Sequence, residues 1–510
     1  MRAADEDYDI VIVGGGIYGA MLLLVAAAHD LKTILIERND FGGETSFNSL
    51  RIIHGGLRYL QSLNMLRSKA MIAERAWFLK TFPDLIFHLP CLMPIYDRGL
   101  RSKSMMRFAL GLDNLLSSHA NQSLENGRRI PAGRLIPPSQ VEQLFPMVDQ
   151  ARLRAGAIWH DARVPDSQRL LMEVLQWSLS MGGRALNYVE AGELLEKGGS
   201  VRGVLGHDRV TDEYFDLRSR VVINAAGPSS RSLAAKYDRD IPDLFRPSLA
   251  WNILFDRPQI SDHAIAVSEA ARGAHVYFLS PWKGKLLVGT GHGRVTNERE
   301  KSVSRKQLGC MIEDLNRAVP SLHLHIGEVV HVFSGLLPVR RDRTIDLTTR
   351  EVILDHGRRG GPQGLFTVSG VKLVAAHRVA VKTIRAVCRR FFPNKVKVSG
   401  VRHTRPDPAK NWDISASSLC VGDAFEQHET FLRKIIEKES VIHLDDLAFR
   451  RTTLWEEPTA LMKIAAQMAS LFPWDASTQR QEVARLGSQV YGRTMKSAVV
   501  CDQRKSRGNV

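Results

Sequence analysis

The stretch YDIVIVGGGIYGAMLLLVAAAHDLKTILIER, Tyr8 to Arg38, decides the fold. It reads as strand, tight turn, helix, strand. The first strand, Tyr8 to Val13, is predominantly apolar, as a parallel strand covered on both faces must be. Gly14-x-Gly16-x-x-Gly19 follows, with Gly15 between the first two. Gly14 permits the turn, Gly16 lets backbone approach a pyrophosphate, and Gly19 lets the helix pack closely on the strand. Free N–H groups at the helix start then face the phosphates. The second strand, Lys32 to Ile36, ends at Glu37, eighteen residues past Gly19. A carboxylate at this point accepts hydrogen bonds from a ribose, which favours FAD or NAD over NADP.

Ile10 to Ala28 is nineteen residues without a charge, the length of a membrane span. The four glycines at 14, 15, 16 and 19 and the acidic flank Asp5, Glu6, Asp7 and Asp9 argue instead for a buried strand, turn and helix. The 510 residues suffice for two or three domains, and 44% of them are hydrophobic. Five cysteines, at 91, 310, 388, 420 and 501, form no CxxC pair, so neither a zinc site nor a disulfide framework is indicated. No metal site is expected. The formal charge is +16, and between Arg340 and Arg405 sixteen Lys/Arg face four Asp/Glu. Such a field suits an anionic substrate, an anionic membrane or RNA, and charge alone does not choose among them.

RVVINAAGPSS, Arg220 to Ser230, is a second apolar strand running into Ala225, Ala226, Gly227 and a helix start. A strand that rejoins the first sheet two hundred residues later means that the nucleotide unit is interrupted by insertions. The expected organisation is a nucleotide-binding domain over 5–90, 151–235 and 335–395, a substrate or cap domain over 91–150 and 236–334, and a C-terminal helical domain over 396–510. Arg246 to Leu287 alternates apolar and polar residues in short runs, an antiparallel sheet forming the floor of the substrate domain. Ser302 to Val319 reads as a helix covering it. SASS at 415–418 and the pair Pro406 and Pro408 mark a linker.

RIIHGGLRYLQ, Arg51 to Gln61, raises a separate question, because two adjacent glycines sit between a histidine and an arginine in an apolar setting. Something must come very close to this backbone. GGGIYGA, TSFNSLRIIHGGLRYL, WHDARV at 159–164, NAAGP, PWKGKLLVGTG, FSGLLP and SGVKL occur in one order. That order resembles the FAD-dependent glycerol-3-phosphate dehydrogenases, within the glutathione-reductase/D-amino-acid-oxidase superfamily of flavoproteins. The resemblance runs from about Tyr8 to Arg390, with a weaker echo in LDDLAFRRTTL at 444–454. It implies an α/β protein: a Rossmann-type FAD-binding domain interleaved with an antiparallel-sheet substrate domain, plus a small C-terminal helical domain.

The resemblance also implies site residues. The loop after Glu37 would run along the pyrophosphate and beneath the isoalloxazine, with Thr45, Ser46 and Ser49 as its hydroxyl positions. His54, Gly55 and Gly56 would meet the flavin ring, and Arg58 and Tyr59 would point into the substrate pocket. Val189, Ala226, Gly227, Gly370 and Leu373 complete the cofactor set. SGVKL opens a helix whose positive end would face the flavin and favour its reduced anion. Lys372 adds a cation toward the flavin or a substrate phosphate. Arg350 aligns with an arginine that the family uses near the substrate.

Three positions depart from the family. Its Gly-x-Arg-Pro is Gly335-Leu336-Leu337-Pro338 here, and a leucine makes no bidentate pair with a phosphate or carboxylate. A family histidine is replaced at Asn252, and a GTTD-like turn reads Gly289-Thr290-Gly291-His292. The expected activity is FAD-dependent oxidation of a small anionic alcohol, by hydride transfer to flavin N5, with His54 or His292 as base. The alternative is oxidation of an amino acid or another hydroxy acid. A non-enzymatic alternative, a flavoprotein binding RNA or a membrane, rests on Arg378, Lys382, Arg385 and Arg389, one basic stripe opposite Val374, Val381, Ile384 and Cys388. The family favours a cytoplasmic protein with peripheral contact at the inner face of a membrane and quinone or another electron acceptor; nucleic acid is not the expected partner.

Overall fold

The computed structural model describes residues 3–57, 60, 64–96, 102–238, 244–268, 275–295, 301–339, 351–370, 372–395, 401, 403–408 and 412–493. Arg58, Tyr59 and Arg350 lie outside the described residues.

Tyr8–Val13 is the centre of an eight-stranded sheet. It pairs in parallel with Thr33–Glu37 on one side and with Tyr214–Asn224 on the other, Val13 standing opposite Ile36 and Asn224. Leu365–Ser369 extends the parallel run beyond Asn224, and Arg184–Asn187 extends it beyond Glu37. Four sequence-distant segments therefore share one sheet. The helix Ile17–Ala27 is apolar all round because it is covered all round, by Ser167–Ser180 and Ala376–Phe391 on either hand and by the sheet beneath. That arrangement accounts for the uncharged nineteen-residue run. Among the described residues, no helix is long and apolar enough to cross a membrane.

The second sheet has nine strands and is largely antiparallel. Pro247–Pro258 lies between Val329–Pro338 and Lys285–Gly293, and Tyr277–Trp282 follows. Arg305–Ala318 packs its apolar side, Leu308, Met311, Ile312 and Leu315, into the same core. Several segments differ from the domain boundaries read in the sequence, among them residues 87–90 and 335–338, which lie in second-sheet strands. Ala155–Arg163 pairs along Phe87–Ile95, and Ile52–Ile53 pairs with Ala162 and Arg163, so both belong to the second sheet. Periodicity reports that a strand is buried but not which sheet buries it.

Two local expectations need correction. Ser415 does not lie in a linker: its side chain caps the helix Ala416–Leu419 by accepting from the Ser418 amide. The buried face of Ala376–Phe391 is Val379, Ala380, Thr383, Ile384, Val387 and Cys388, and Val381 is only half-buried. Its basic edge is partly neutralised, because Glu351 accepts from Arg378 and stands 3.8 Å from Lys382.

The C-terminal helices are fastened to the nucleotide sheet by buried charge. Asp40, three residues past the ribose-end glutamate, receives both arms of Arg451 at 2.8 and 2.7 Å. Both side chains are essentially without solvent exposure. Burial alone raises the Asp40 carboxyl, but Arg451 and Arg450 together hold it below its ordinary value. Beside this pair, Arg169 bridges Glu173 and Glu439, and the Tyr188 hydroxyl donates to Asp446 at 2.7 Å. Arg451→Ala is expected to lower the unfolding free energy by about 3 kcal/mol, because a buried carboxylate loses its fork. Denaturant midpoints would measure it, and adding Asp40→Ala should recover part of the loss. A single-variant change under about 0.5 kcal/mol, the size of an ordinary surface substitution, would contradict this account.

Candidate active site

Between the two sheets lies a cavity of about 840 Å³, within the roughly 300–1,000 Å³ of ligand sites. On the nucleotide side it is bounded by Val13, Gly14 and Gly16, by Glu37 and Arg38, and by Ala226 and Gly227. On the other side the second sheet contributes Ala250, Asn252, Thr290 and Leu337. Gly370, Lys372 and Leu373 lie on the wall between them.

The turn that opens the cavity is tightly constrained. Gly14 has φ +113, and a Cβ there would stand 2.6 Å from the Ala225 carbonyl oxygen. A Cβ on Gly19 would stand 1.9 Å from the Gly14 oxygen. The Gly15 amide donates to Glu37 at 2.7 Å, and the Asn39 amide donates to its other oxygen at 3.0 Å. Burial pushes the Glu37 carboxyl up and these two amides oppose it. Neither Gly15 nor Gly19 lines the cavity; they hold the residues that do. Ser46 Oγ accepts from the Ile17 amide at the helix start (3.0 Å), and Thr45 donates to Leu336 O (3.1 Å), tying the loop to the second sheet. Ser49 Oγ accepts from the Arg51 amide at 3.3 Å. Val189, Thr45, Ser46 and Ser49 all line the cavity.

A dinucleotide flavin fits this set. Glycine backbone faces the cavity at Gly14, Gly16 and Gly227, and a Cβ at Gly227 would meet open space. An acceptor pair stands at Glu37, and cations stand at Arg38, Lys372 and Arg450. Gly14, Gly16, Ser46 and Glu37 would hold its diphosphate and ribose, and Gly370, Lys372 and Leu373 its ring end.

The double glycine has a different cause from the one expected. Gly55 and Gly56 do not line the cavity. A Cβ on Gly55 would stand 2.1 Å from Nη1 of Arg75, a fully buried arginine. The Gly55 amide donates to Asp161 at 2.5 Å, and Arg75 donates to the same oxygen at 3.3 Å. Gly56 adopts φ +91. What comes close to this backbone is an internal ion pair. The carboxylate also accepts from Trp159 Nε1 at 3.1 Å and lies 3.6 Å from His54 Nδ1. Burial alone raises Asp161, but His54, Arg75 and the Gly55 amide overcome it and hold the carboxyl down at about 2. His54 itself does line the cavity and is about one-third exposed.

His292 does not reach the cavity, although Thr290 on the same strand does. Its ring packs edge-on against His275 at 5.3 Å. Burial and that neighbour push it down to about 4, so it is neutral near pH 7. Asn252 accepts from the Thr290 hydroxyl at 3.0 Å, and both line the cavity beside Leu337.

Sequence reasoning missed several residues. Tyr18, inside GGGIYGA, donates to Lys372 O at 2.8 Å, and its ring occupies the space that a Gly370 side chain would need, 1.9 Å from a Cβ there. Arg51 lines the cavity at φ +60, buried over Trp282, Phe333 and Phe47 at 5.0, 5.2 and 5.7 Å. Its Nη1 donates to Pro165 O at 3.1 Å. A charge set in an apolar run was the available signal for Arg51.

The family model described as FAD dependent oxidoreductase matches residues 9–378. A glycerol-3-phosphate dehydrogenase of Synechocystis sp. is 29% identical over 399 residues, 74% of this chain and 70% of that protein. The alpha-glycerophosphate oxidase of Streptococcus pneumoniae is also 29% identical, over 66% of this chain; the match spans 55% of the oxidase. The structure of glycerol-3-phosphate dehydrogenase from Bacillus halodurans, complexed with FAD, superposes with TM-score 0.71 at 20% identity, over 96% of this chain and 95% of that one. At that identity the superposition establishes the fold.

The Asp161 cluster gives a signed pH dependence. Its folded-state pKa of about 2 lies below the ordinary 3.8, so its stabilisation is present above about pH 4 and is lost as pH falls toward 2. The amount is about 2 kcal/mol, read from unfolding free energies across an acid series. Asp161→Asn should flatten that limb. Gly55→Ala should cost about 1–3 kcal/mol by driving a methyl into Arg75; a neutral Gly55→Ala would refute the close approach.

Proposed function

Because the chain belongs to the FAD dependent oxidoreductase family, we propose that it oxidises the hydroxyl-bearing carbon of a small anionic alcohol of the glycerol-phosphate class. The observation that carries this reading is the single cavity running from the glycine turn to Asn252, Thr290 and Leu337, with Lys372 on its wall. Two relatives, a glycerol-3-phosphate dehydrogenase and an alpha-glycerophosphate oxidase, match over 74% and 66% of this chain. Bound FAD supplies a two-electron acceptor for the hydride of an alcohol C–H.

The chain's own residues do the rest. His54, the one of the two proposed bases that lines the cavity, takes the hydroxyl proton. Asp161, 3.6 Å from its Nδ1, orients the ring. Lys372 and the start of the following helix at Leu373 favour negative charge at the ring end. Tyr18 fixes Lys372 through its backbone, with the hydroxyl donating to the carbonyl. Arg58 and Arg350 are the proposed anchors for the substrate anion, and Tyr59 is a further proposed residue of the substrate pocket. Leu337 and Asn252 are uncharged, so neither position of the second-sheet wall supplies a cation of its own to the substrate anion.

Anaerobic addition of sn-glycerol 3-phosphate is expected to bleach the yellow flavin band. Silence toward it, with bleaching by an amino acid or a 2-hydroxy acid, would replace this reading with the corresponding oxidase. Arg58→Ala is expected to raise KM strongly while FAD stays bound. Leu337→Arg should lower KM for the phosphate ester by about 10-fold or more, since a charge-assisted hydrogen bond contributes about 1.5–3 kcal/mol. An unchanged KM in Leu337→Arg would mean that the anion does not approach this wall.

A further inference from the structure

The C-terminal helices carry no chemistry motif, yet Asp445, Arg450, Arg485 and Gln489 form part of the wall of the cofactor cavity. Arg485 is matched, its Nε 2.7 Å from Asp445. Arg450 is in a different state. Its side chain is nine-tenths buried. The carboxylate beside it is Asp40, 3.2 Å from Nε, but both Asp40 oxygens are already held by the fork of Arg451. Two guanidinium groups thus share one carboxylate. Nε and Nη1 of Arg450 are buried and make no hydrogen bond among the described residues. A buried cation with donors unfilled requires an anion or an acceptor.

Its position says which anion. A Cβ built on Gly43 would lie 3.4 Å from the Arg450 guanidinium carbon, so the fork rests against the loop after Glu37. Three residues on, Ser46 caps the start of the first helix, the end of the cavity suited to phosphate. Glu44, within this loop, is engaged by Lys301 at 2.5 Å and so is already matched. A guanidinium fork matches phosphate oxygens two at a time.

We propose that Arg450 binds the diphosphate of the flavin dinucleotide, so that the C-terminal unit supplies a charged ligand to a site otherwise built by the nucleotide unit. The proposal depends on FAD as cofactor and not on the substrate assigned above. Arg450→Gln in the full chain tests it. Flavin release from the holoenzyme, followed by the fluorescence of freed FAD, should accelerate at least tenfold. In full-length protein stripped of flavin, the dissociation constant for ADP should rise at least tenfold, and that for adenosine, which has no phosphate, by less than twofold. Arg450→Lys should recover part of the ADP affinity through its charge. Wild-type release and wild-type ADP affinity would overturn the proposal. An equal loss for ADP and adenosine would also overturn it, because Arg450 would then support the fold of the site and not the diphosphate.

Discussion

The molecule depends on how closely one helix can approach one turn. The Gly14 carbonyl oxygen stands where a side chain on residue 19 would begin, 1.9 Å from that imagined Cβ. With glycine at both positions, Ile17–Ala27 lies down on the central strand, and its amide end opens onto the cavity. The strand that returns at Tyr214–Asn224 is set by the same approach, since the Ala225 oxygen touches Gly14 from the other side. A methyl at either glycine would separate the strand from the helix that covers it, and the cavity would lose the wall on which a nucleotide rests.

The parts legible in the sequence are those written in short-range pattern. Strand, glycine turn, helix and acid-tipped strand occupy Tyr8 to Glu37, and each element carries its own periodicity or its own obligatory residue. The return of RVVINAAGP to the first sheet was legible because a buried parallel strand and its turn have a recognisable composition. What could not be read depends on distance. Asp40 and Arg451 are 411 positions apart, and no local pattern announces that they meet. The membership of Ala155–Arg163 in the second sheet has the same character. His292 looked available because a loop histidine beside a glycine turn looks exposed; in the fold it is packed against His275.

The double glycine shows how one observation can support two physical causes. Missing side chains mean that something is near, and the sequence does not name it. In the structure the near neighbour is Arg75, locked between Asp161 and the backbone of His160. The cofactor loop is still shaped by this arrangement, because the residue before Gly55 is His54, which faces the cavity. Three residues earlier, Arg51 is clasped by aromatic rings. The segment beneath the ring end of the site is thus pinned at both ends by buried cations, one on a carboxylate and one on π faces.

The interleaving of the central sheet has a consequence for how the chain is made. Tyr8–Val13 leaves the ribosome first, but its neighbour Tyr214–Asn224 emerges some two hundred residues afterwards, and Leu365–Ser369 later still. At roughly 5–20 residues per second, the first strand and its greasy helix wait on the order of 10–40 seconds for their partner. During that interval an uncharged nineteen-residue segment has only the pair Tyr8–Val13 and Thr33–Glu37 to lie on, and its natural competitors are other nascent chains. A newborn molecule of this architecture therefore exposes its most apolar stretch until translation catches up with topology.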